Sequence, residues 1–465
     1  MPRSPERVSP REIVRSGLCI GCGSCVADEP DATMRWDPHG FLKPEGPENW
    51  YTDSSEAFSR RCPFSPKAPD EDAITADRFP AAPAHHSAIG RFEAAYVGAA
   101  AEPPFREQGS SGGLVTWVAA ELLRSNLIDA VAHVVPADPN GGRFFRYTVS
   151  RTAADLNRGA KSRYYPIELS DVLRTIRKTP GRYAVVGIPC FIKAVHLARR
   201  ADPVLAERIT HTLGLFCGHM KSARLVESFA WQTGHAIEEV QAVDYRLKDT
   251  ARPANWYRAH LALKSGEIAG EDWWNLADGD WGAGFFQASA CNFCDDVVGE
   301  TADMSFGDAW VEPHSSDGRG TNVAVVRSPE LHRIVEQARV EGRLALEPVD
   351  AAYVEQTQAA GLRHRREGLA YRLTWARAGV RPRKRVAASG GGLPLRRRVV
   401  YRTRHAIATW SNRVFALARR LRRPQLYVRW ARAALAFYAG VAWSRGRVGR
   451  IADRVEGWLG RTSRG

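Results

Sequence analysis

The chain has 465 residues, 44% hydrophobic and 25% charged, proportions ordinary for a soluble globular protein and a length that asks for two or more domains. Its net charge of +15 is unevenly placed: residues 363–465 hold 27 Lys and Arg against only Glu367, Asp453 and Glu456, whereas the first 362 residues hold 39 bases and 48 acids. A mildly acidic body with a strongly basic tail is therefore expected. MPRSPERVSPREIVRSG has no apolar core, which excludes a secretory signal, and the run AALAFYAGVAW at 433–443 is too short to span a bilayer. On this reading the protein is cytoplasmic, and its eight cysteines are metal ligands or catalytic thiols rather than disulfides.

The first element in chain order is CIGCGSC, which spaces Cys19, Cys22 and Cys25 at intervals of three; Cys62 follows in a Cys-Pro dipeptide. This is the ligand pattern of a bacterial ferredoxin, with Gly21 and Gly23 letting the backbone turn tightly around a 4Fe-4S cluster. No second C-x2-C-x2-C lies nearby, so Cys62 is the expected fourth ligand of the same cluster. Structural zinc is the alternative occupant, although zinc sites usually come as two C-x2-C knuckles. Residues 1–75 are read as a loop-rich ferredoxin-like module and 76–90 as a polar linker.

From residue 91 an α/β body is expected, with 91–180 as its first part and 181–360 as its second. GSSGG at 109–113 precedes a helix whose Leu114, Val118, Leu122 and Leu123 share a face, and a strand follows. A small-residue turn opening a helix offers free amides to a phosphate, though such caps are commonplace. RGAKSRYYPIE, 158–168, adds Lys161, Arg163 and two tyrosines in a loop. GRYAVVGIPC and HTLGLFCGH read as strands joined by a helix; a right-handed parallel unit puts Cys190 and Cys217 on one sheet edge. CNFCDD contributes Cys291 and Cys294, so eight cysteines divide into two quartets. Buried apolar thiols, or a redox-active Cys190, are the alternatives for the second quartet. Residues 361–465 read as a basic helical extension, with a break at RPRKRVAASGGGLPLRRR before its helical stretches. Ile407, Trp410, Val414, Leu417 and Leu421 are expected on one face, which suits an anionic membrane surface through 395–460 or a docking arm. No nucleic-acid module accompanies the charge, so specific nucleic-acid recognition is not expected.

With GSSGG, KSRYY, GIPC, LFCGH and CNFCDDVVGETADMSFGDAW in one order, residues 15–350 resemble the coenzyme F420 hydrogenase/dehydrogenase β-subunit family, which includes 7-hydroxymethyl chlorophyll a reductase. The resemblance implies a mixed α/β flavin-binding body, FAD, and cluster ligation by Cys190, Cys217, Cys291 and Cys294. It also implies that Ser110, Ser111, Gly112, Gly113, Lys161, Ser162 and Tyr164 contact FAD. No catalytic acid or base is identified, and Asp308 is taken as structural.

The function expected is an iron-sulfur flavoprotein oxidoreductase that passes single electrons through two 4Fe-4S clusters to FAD, where they are paired for an organic acceptor. The first reading is a stand-alone reductase fed by a donor such as ferredoxin and acting on a planar substrate. An alternative is an electron-transfer subunit that reduces or oxidises the deazaflavin F420 beside a hydrogenase or dehydrogenase partner. An alternative of another class is a zinc-stabilised, non-catalytic interaction protein. Substrate, direction of electron flow and any homo-oligomer are left open.

Overall fold

The computed structural model describes residues 7–462, with side chains to 456. Residues 1–6 of the N-terminal stretch, and the side chains past 456 of the expected membrane face, lie outside the described residues. Eight strands form the central sheet: β1 (Ala94–Ala100), β2 (Ala130–Pro136), β3 (Phe145–Ser150), β4 (Tyr183–Gly187), β5 (Ile209–Leu215), β6 (Met304–Asp308), β7 (Asn322–Val326) and β8 (Leu344–Val349). Their spatial order is β8-β1-β7-β6-β5-β4-β2-β3. β4 pairs in parallel with both β2 and β5, and β5 with β6, while the remaining neighbours are antiparallel. The central strands are continuous apolar runs because both faces are covered: every residue of β4 and β7 is buried.

Two helices place the ends of this sheet. α1 (Leu114–Arg124) follows GSSGG and packs Trp117, Val118 and Leu122 onto the sheet. α2 (Pro189–Ala201) begins immediately after β4, with proline in its first turn, and returns the chain to β5. Together β4, α2 and β5 make the expected parallel unit.

The N-terminal residues keep a small cluster of their own, Val26, Ala32, Met34 and Leu42, and share a larger one with the body. Ile13, Leu18, Ile20, Cys22, Phe58 and Phe64 share one apolar cluster with Ala130, Leu169, Leu173 and Val185 of the body. Arg174 reinforces this junction, with its Nη2 donating to the carbonyls of Val26 at 2.7 Å, Glu29 at 2.9 Å and Ala32 at 3.1 Å.

Two expectations are corrected. The stretch read as a linker is structured: helix Glu71–Arg78 opens on an Asp70 cap, the hairpin Ala84–His86/Gly90–Phe92 follows, and Ile74, Ala88 and Ile89 are buried. Its polarity reflects pairing, since Glu71 meets Lys193 at 3.1 Å with both side chains inside. The body also does not end near 360. Lys384 and Arg385, within the supposed break, are buried against Asp295 at 2.9 Å and Glu300 at 2.7 Å.

The extension forms three helices, α3 (Leu395–Arg420), α4 (Pro424–Trp443) and α5 (Gly446–Thr462). The expected face divides between core and solvent. α3 packs Val400, Tyr401, Ile407, Ala408, Ser411, Asn412, Phe415 and Ala418 inward, while Trp410, Leu417 and Leu421 are exposed. The body offers α3 a partner, because Trp231 stacks on Phe415 at 4.3 Å and Phe286 meets it edge-on at 5.2 Å. Among the described residues no helix is long and apolar enough to cross a membrane.

Candidate functional site

Cys19, Cys22, Cys25 and Cys62 line one cavity, about 410 Å³ including its open mouth. Helix Glu56–Arg61, capped by Ser55, ends at Cys62 and aims it at the CIGCGSC loop. That loop needs its glycines. Gly21 and Gly23 have φ of +79° and +75°, and a Cβ on them would come within 2.6 Å of the Leu42 carbonyl and 2.3 Å of a Glu168 carboxylate oxygen.

Cys190, Cys217, Cys291 and Cys294 line a second cavity, about 270 Å³. Cys190 lies in the first turn of α2 and Cys217 two residues past β5, so neighbouring parallel strands deliver both, while the short helical turn Ser289–Phe293 brings Cys291. Ile20 and Phe64 line both cavities, so the two quartets share part of an apolar wall.

The thiol electrostatics fit an occupant with positive metal centres. Burial, with repulsion from Cys19 and Glu168, pushes Cys22 up to about 12. Burial and then repulsion from Cys22, Cys19 and Cys62 push Cys25 well above the usual thiol range. In the second quartet burial raises Cys190, joined by Cys294, Cys217 and Cys291; Cys217 reaches about 12 and Cys291 about 11, with Arg365 opposing burial in both. Four thiolates crowded in an apolar cavity need bound metal charge to ionise. Backbone N–H donors are already in place, that of Met220 reaching Cys291 Sγ at 3.3 Å. Among the described residues no three His, Cys, Asp or Glu side chains close together as a single metal ion would require.

The residues expected at FAD fall into two groups. GSSGG and the 158–168 loop do meet, for the Ser162 N–H donates to Ser110 Oγ at 2.9 Å. Ser111 turns inward, its hydroxyl donating to the Thr321 carbonyl at 3.0 Å. Gly112 and Gly113 also serve packing. A Cβ on Gly112 would lie 2.8 Å from both the Gly98 carbonyl and Asn322 Oδ1, and one on Gly113, at φ +80°, would collide with the Phe105 carbonyl. Lys161 is paired with Asp244 at 3.2 Å. Tyr164 joins an aromatic group with Trp281 at 4.7 Å, Tyr245 at 5.6 Å and Trp273 at 5.8 Å.

Sequence reasoning missed four residues here. Lys248 Nζ donates to the carbonyls of Ser111 at 2.9 Å and Arg319 at 2.8 Å, and to that of Arg106. Burial, then Lys161, Arg106 and Arg246, bring its pKa down to about 8. The cations around this small-residue helix start each have a carboxylate partner, Lys161 in Asp244, Arg106 in Asp317 and Arg246 in Asp308, whereas Lys248 is held by carbonyls alone. Arg246 bonds Asp308 at 2.9 Å and stacks over Tyr257 at 4.2 Å, so Asp308 anchors a cation. The remaining two, Arg365 and Lys384, stand near the second quartet; their only sequence signal was the basic tail, which hid them among solvent-facing arginines.

Known proteins similar to this chain fall in one family. A family model described as coenzyme F420 hydrogenase/dehydrogenase, beta subunit N-term, matches residues 95–174, and the corresponding C-terminus model matches residues 181–352. The coenzyme F420-dependent sulfite reductase of Methanocaldococcus jannaschii is 24% identical over 356 residues, covering 73% of this chain and 49% of that protein. The chain thus spans about half the length of this curated relative. A chain of the xenon-derivatised F420-reducing NiFe hydrogenase complex from Methanosarcina barkeri is 16% identical, with a TM-score of 0.49 over 64% of this chain and 99% of that one. With both halves of the family pattern present in order, the chain belongs to the coenzyme F420 hydrogenase/dehydrogenase β-subunit family.

Proposed function

We propose that this chain is an electron-transferring oxidoreductase component that exchanges electrons with a deazaflavin of the F420 type, through FAD and two 4Fe-4S clusters. The observation that carries the reading is the pair of four-cysteine cavities walled by the same Ile20 and Phe64. The family match favours the deazaflavin reading over a stand-alone ferredoxin-dependent reductase. Sulfite chemistry belongs to the relative and is not part of the proposal, because the match covers only 49% of that protein.

In this reading Cys19, Cys22, Cys25 and Cys62 hold one cluster and Cys190, Cys217, Cys291 and Cys294 the other. Ser110, Ser111, Gly112, Gly113, Lys161, Ser162 and Tyr164, with Lys248, hold FAD. When bound, the clusters supply one-electron steps and the flavin pairs them for a two-electron acceptor. The protein's own residues position and insulate. Ile20 and Phe64 keep the path short and dry, Arg174 clamps the first cysteine loop to the body, and Lys248 and Lys161 place positive charge for phosphates.

Anaerobic reconstitution with iron, sulfide and FAD tests the proposal. About eight iron and one FAD per chain, with reduction of F420 by a strong one-electron donor, are expected. A fully loaded protein that ignores F420 but reduces another planar acceptor with reduced ferredoxin would return the stand-alone reading. Zinc without flavin would leave only the interaction protein.

The Lys248 pKa makes flavin affinity depend on pH. Because it lies at about 8, well below the usual lysine value, the ammonium is present below that pH and lost above it. FAD binding should therefore weaken as pH rises from 7 to 9.5, with proton uptake on binding in the upper range. K248Q should bind FAD more weakly at pH 7 and flatten this dependence; an unaltered profile in fluorescence titrations would remove Lys248 from the phosphate site.

The extension suits an anionic bilayer surface. Trp410, Leu417, Leu421, Leu426 and Phe437 are exposed along α3 and α4, among Arg413, Arg420, Arg422, Arg423, Arg429 and Arg432, which are also exposed. Each arginine near such a surface contributes about 1 kcal/mol. A W410S/L417S/L421S variant should lose flotation with phosphatidylserine vesicles; equal flotation would exclude this face. Truncation at 362 is a poor probe, since it also removes the buried Arg365, Lys384 and Arg385.

A further inference from the structure

We propose that Arg365 sets the reduction potential of the Cys190/Cys217/Cys291/Cys294 site above that of the Cys19/Cys22/Cys25/Cys62 site, so that electrons run from the first quartet to the second. This rests on reading both quartets as 4Fe-4S ligands.

Arg365 is 1% exposed and lines the second cavity beside the four cysteines. Its Nη2 donates to the Cys217 carbonyl at 2.8 Å and to that of Gly218, whereas Nε and Nη1 are buried without a partner. Among the described residues it forms no ion pair with a carboxylate. A buried cation with two unused donors is costly unless something negative fills the space beside it. A cluster ligated by four thiolates is such a group, being anionic and rich in sulfur acceptors.

The neighbouring acids do not cancel this charge. Asp295 is engaged by Lys384 at 2.9 Å, and Glu300 by Arg385 at 2.7 Å. Asp296 is taken up by backbone, accepting from the N–H groups of Gly299 at 2.8 Å and Glu300 at 3.0 Å.

The first cavity has an arginine too, and the contrast is the basis of the inference. Arg61 is 3% exposed, but its donors are spent: Nε on Ser24 Oγ at 3.1 Å, Nη1 on the Ala198 carbonyl at 3.2 Å and Nη2 on Asp28 at 2.8 Å. Asp28 and Asp202 together balance Arg61 and Arg177, and Glu168, paired with Arg143 at 3.5 Å, adds repulsion at Cys22, while the half-buried Lys43 donates to the Cys19 carbonyl at 2.6 Å. Reduction adds one negative charge to a cluster. An uncompensated buried cation favours that charge, whereas a neutralised one beside a carboxylate does not. The transfer is one electron, lost by the first site and gained by the second, replenished by a one-electron protein donor, with no bond made or broken.

EPR-monitored redox titration of the anaerobically reconstituted full chain decides. In the wild type the second cluster should be the more oxidising, with C22S, which lacks the first, identifying its signal. R365Q should shift the second cluster's reduced-to-oxidised ratio at least tenfold towards oxidised, equivalent to 59 mV for one electron, and leave the first unmoved. R365K should restore most of the shift. Two assembled clusters whose potentials ignore R365Q, or a first cluster more oxidising than the second, would overturn the proposal. If R365Q does not assemble its second cluster, R365K and the wild-type ordering still decide. Iron at or near zero in the wild type would instead sink the cluster reading itself.

Discussion

Cys291→Ser is expected to halve the iron of the reconstituted chain, from about eight to about four per chain, and to abolish electron delivery to F420 while FAD remains bound. Cys291 is 7% exposed, lies in the same apolar cluster as Cys22, and faces Cys190, Cys217 and Cys294 across the second cavity. A serine hydroxyl there would be a poor ligand for iron and would leave the Met220 N–H, 3.3 Å from the sulfur, with a changed acceptor. Even an outer-shell change at a metal site costs about 10–100-fold, so loss of a ligand should exceed that. The mirror variant, Cys22→Ser, should also lose four iron but chiefly impair intake from a protein donor. Iron analysis, EPR and flavin absorbance on both variants separate the sites. Unchanged iron in C291S would remove Cys291 from the ligand set, and loss of FAD in C22S would make the first quartet a structural staple rather than an entry port.

Arg385→Met is expected to destabilise the fold by about 3–5 kcal/mol, the cost of breaking a buried pair from one side. Its side chain, 9% exposed, spans four acids: Nη2 meets Glu300 at 2.7 Å, Nη1 meets Asp72 at 2.7 Å, and Nε lies 3.8 Å from Asp295 and 4.0 Å from Glu71. Glu300 and Asp295 are each about 1% exposed, so removing the arginine strands carboxylates away from water. Burial raises the carboxyl of Asp295, but Lys384 and Arg385 outweigh it and hold its pKa well below the usual range. Its contribution is therefore present above the unfolded carboxylate pKa near 4 and lost as pH falls below it. Urea unfolding at pH 7 should show the full deficit and R385K a smaller one, since lysine keeps charge but not the fork. An R385M midpoint within error of the wild type would show the network to be dispensable.

The partition between what was legible and what was not follows residue by residue. CIGCGSC, GIPC, LFCGH and CNFC carried their message locally, because ligand spacing and the strand-turn-helix pattern are properties of short segments. The β4-α2-β5 unit was readable for the same reason: a parallel crossover has one hand, and that alone puts Cys190 and Cys217 on one edge. How the expected face of α3 divides was not readable, because Ile407 and Trp410 are both apolar in sequence, yet the body packs Trp231 and Phe286 on Phe415, burying Ile407 and leaving Trp410, Leu417 and Leu421 exposed. A helix with apolar residues over much of its surface does not say which stripe will be covered.

By itself, then, the sequence determined the two cysteine quartets and the mixed α/β class, which rest on spacing and periodicity within short windows, and the family, which rests on the resemblance of five motifs in one order. Only the tertiary structure decided that the quartets share the wall of Ile20 and Phe64, that Arg61 is neutralised while Arg365 is not, and that Lys384 and Arg385 belong to the body. Whether a basic residue is a solvated surface charge or a buried counter-ion depends on acids far away in the chain, Asp295 and Glu300 for the last two, and charge counted along a sequence carries no record of which partner it will meet in space.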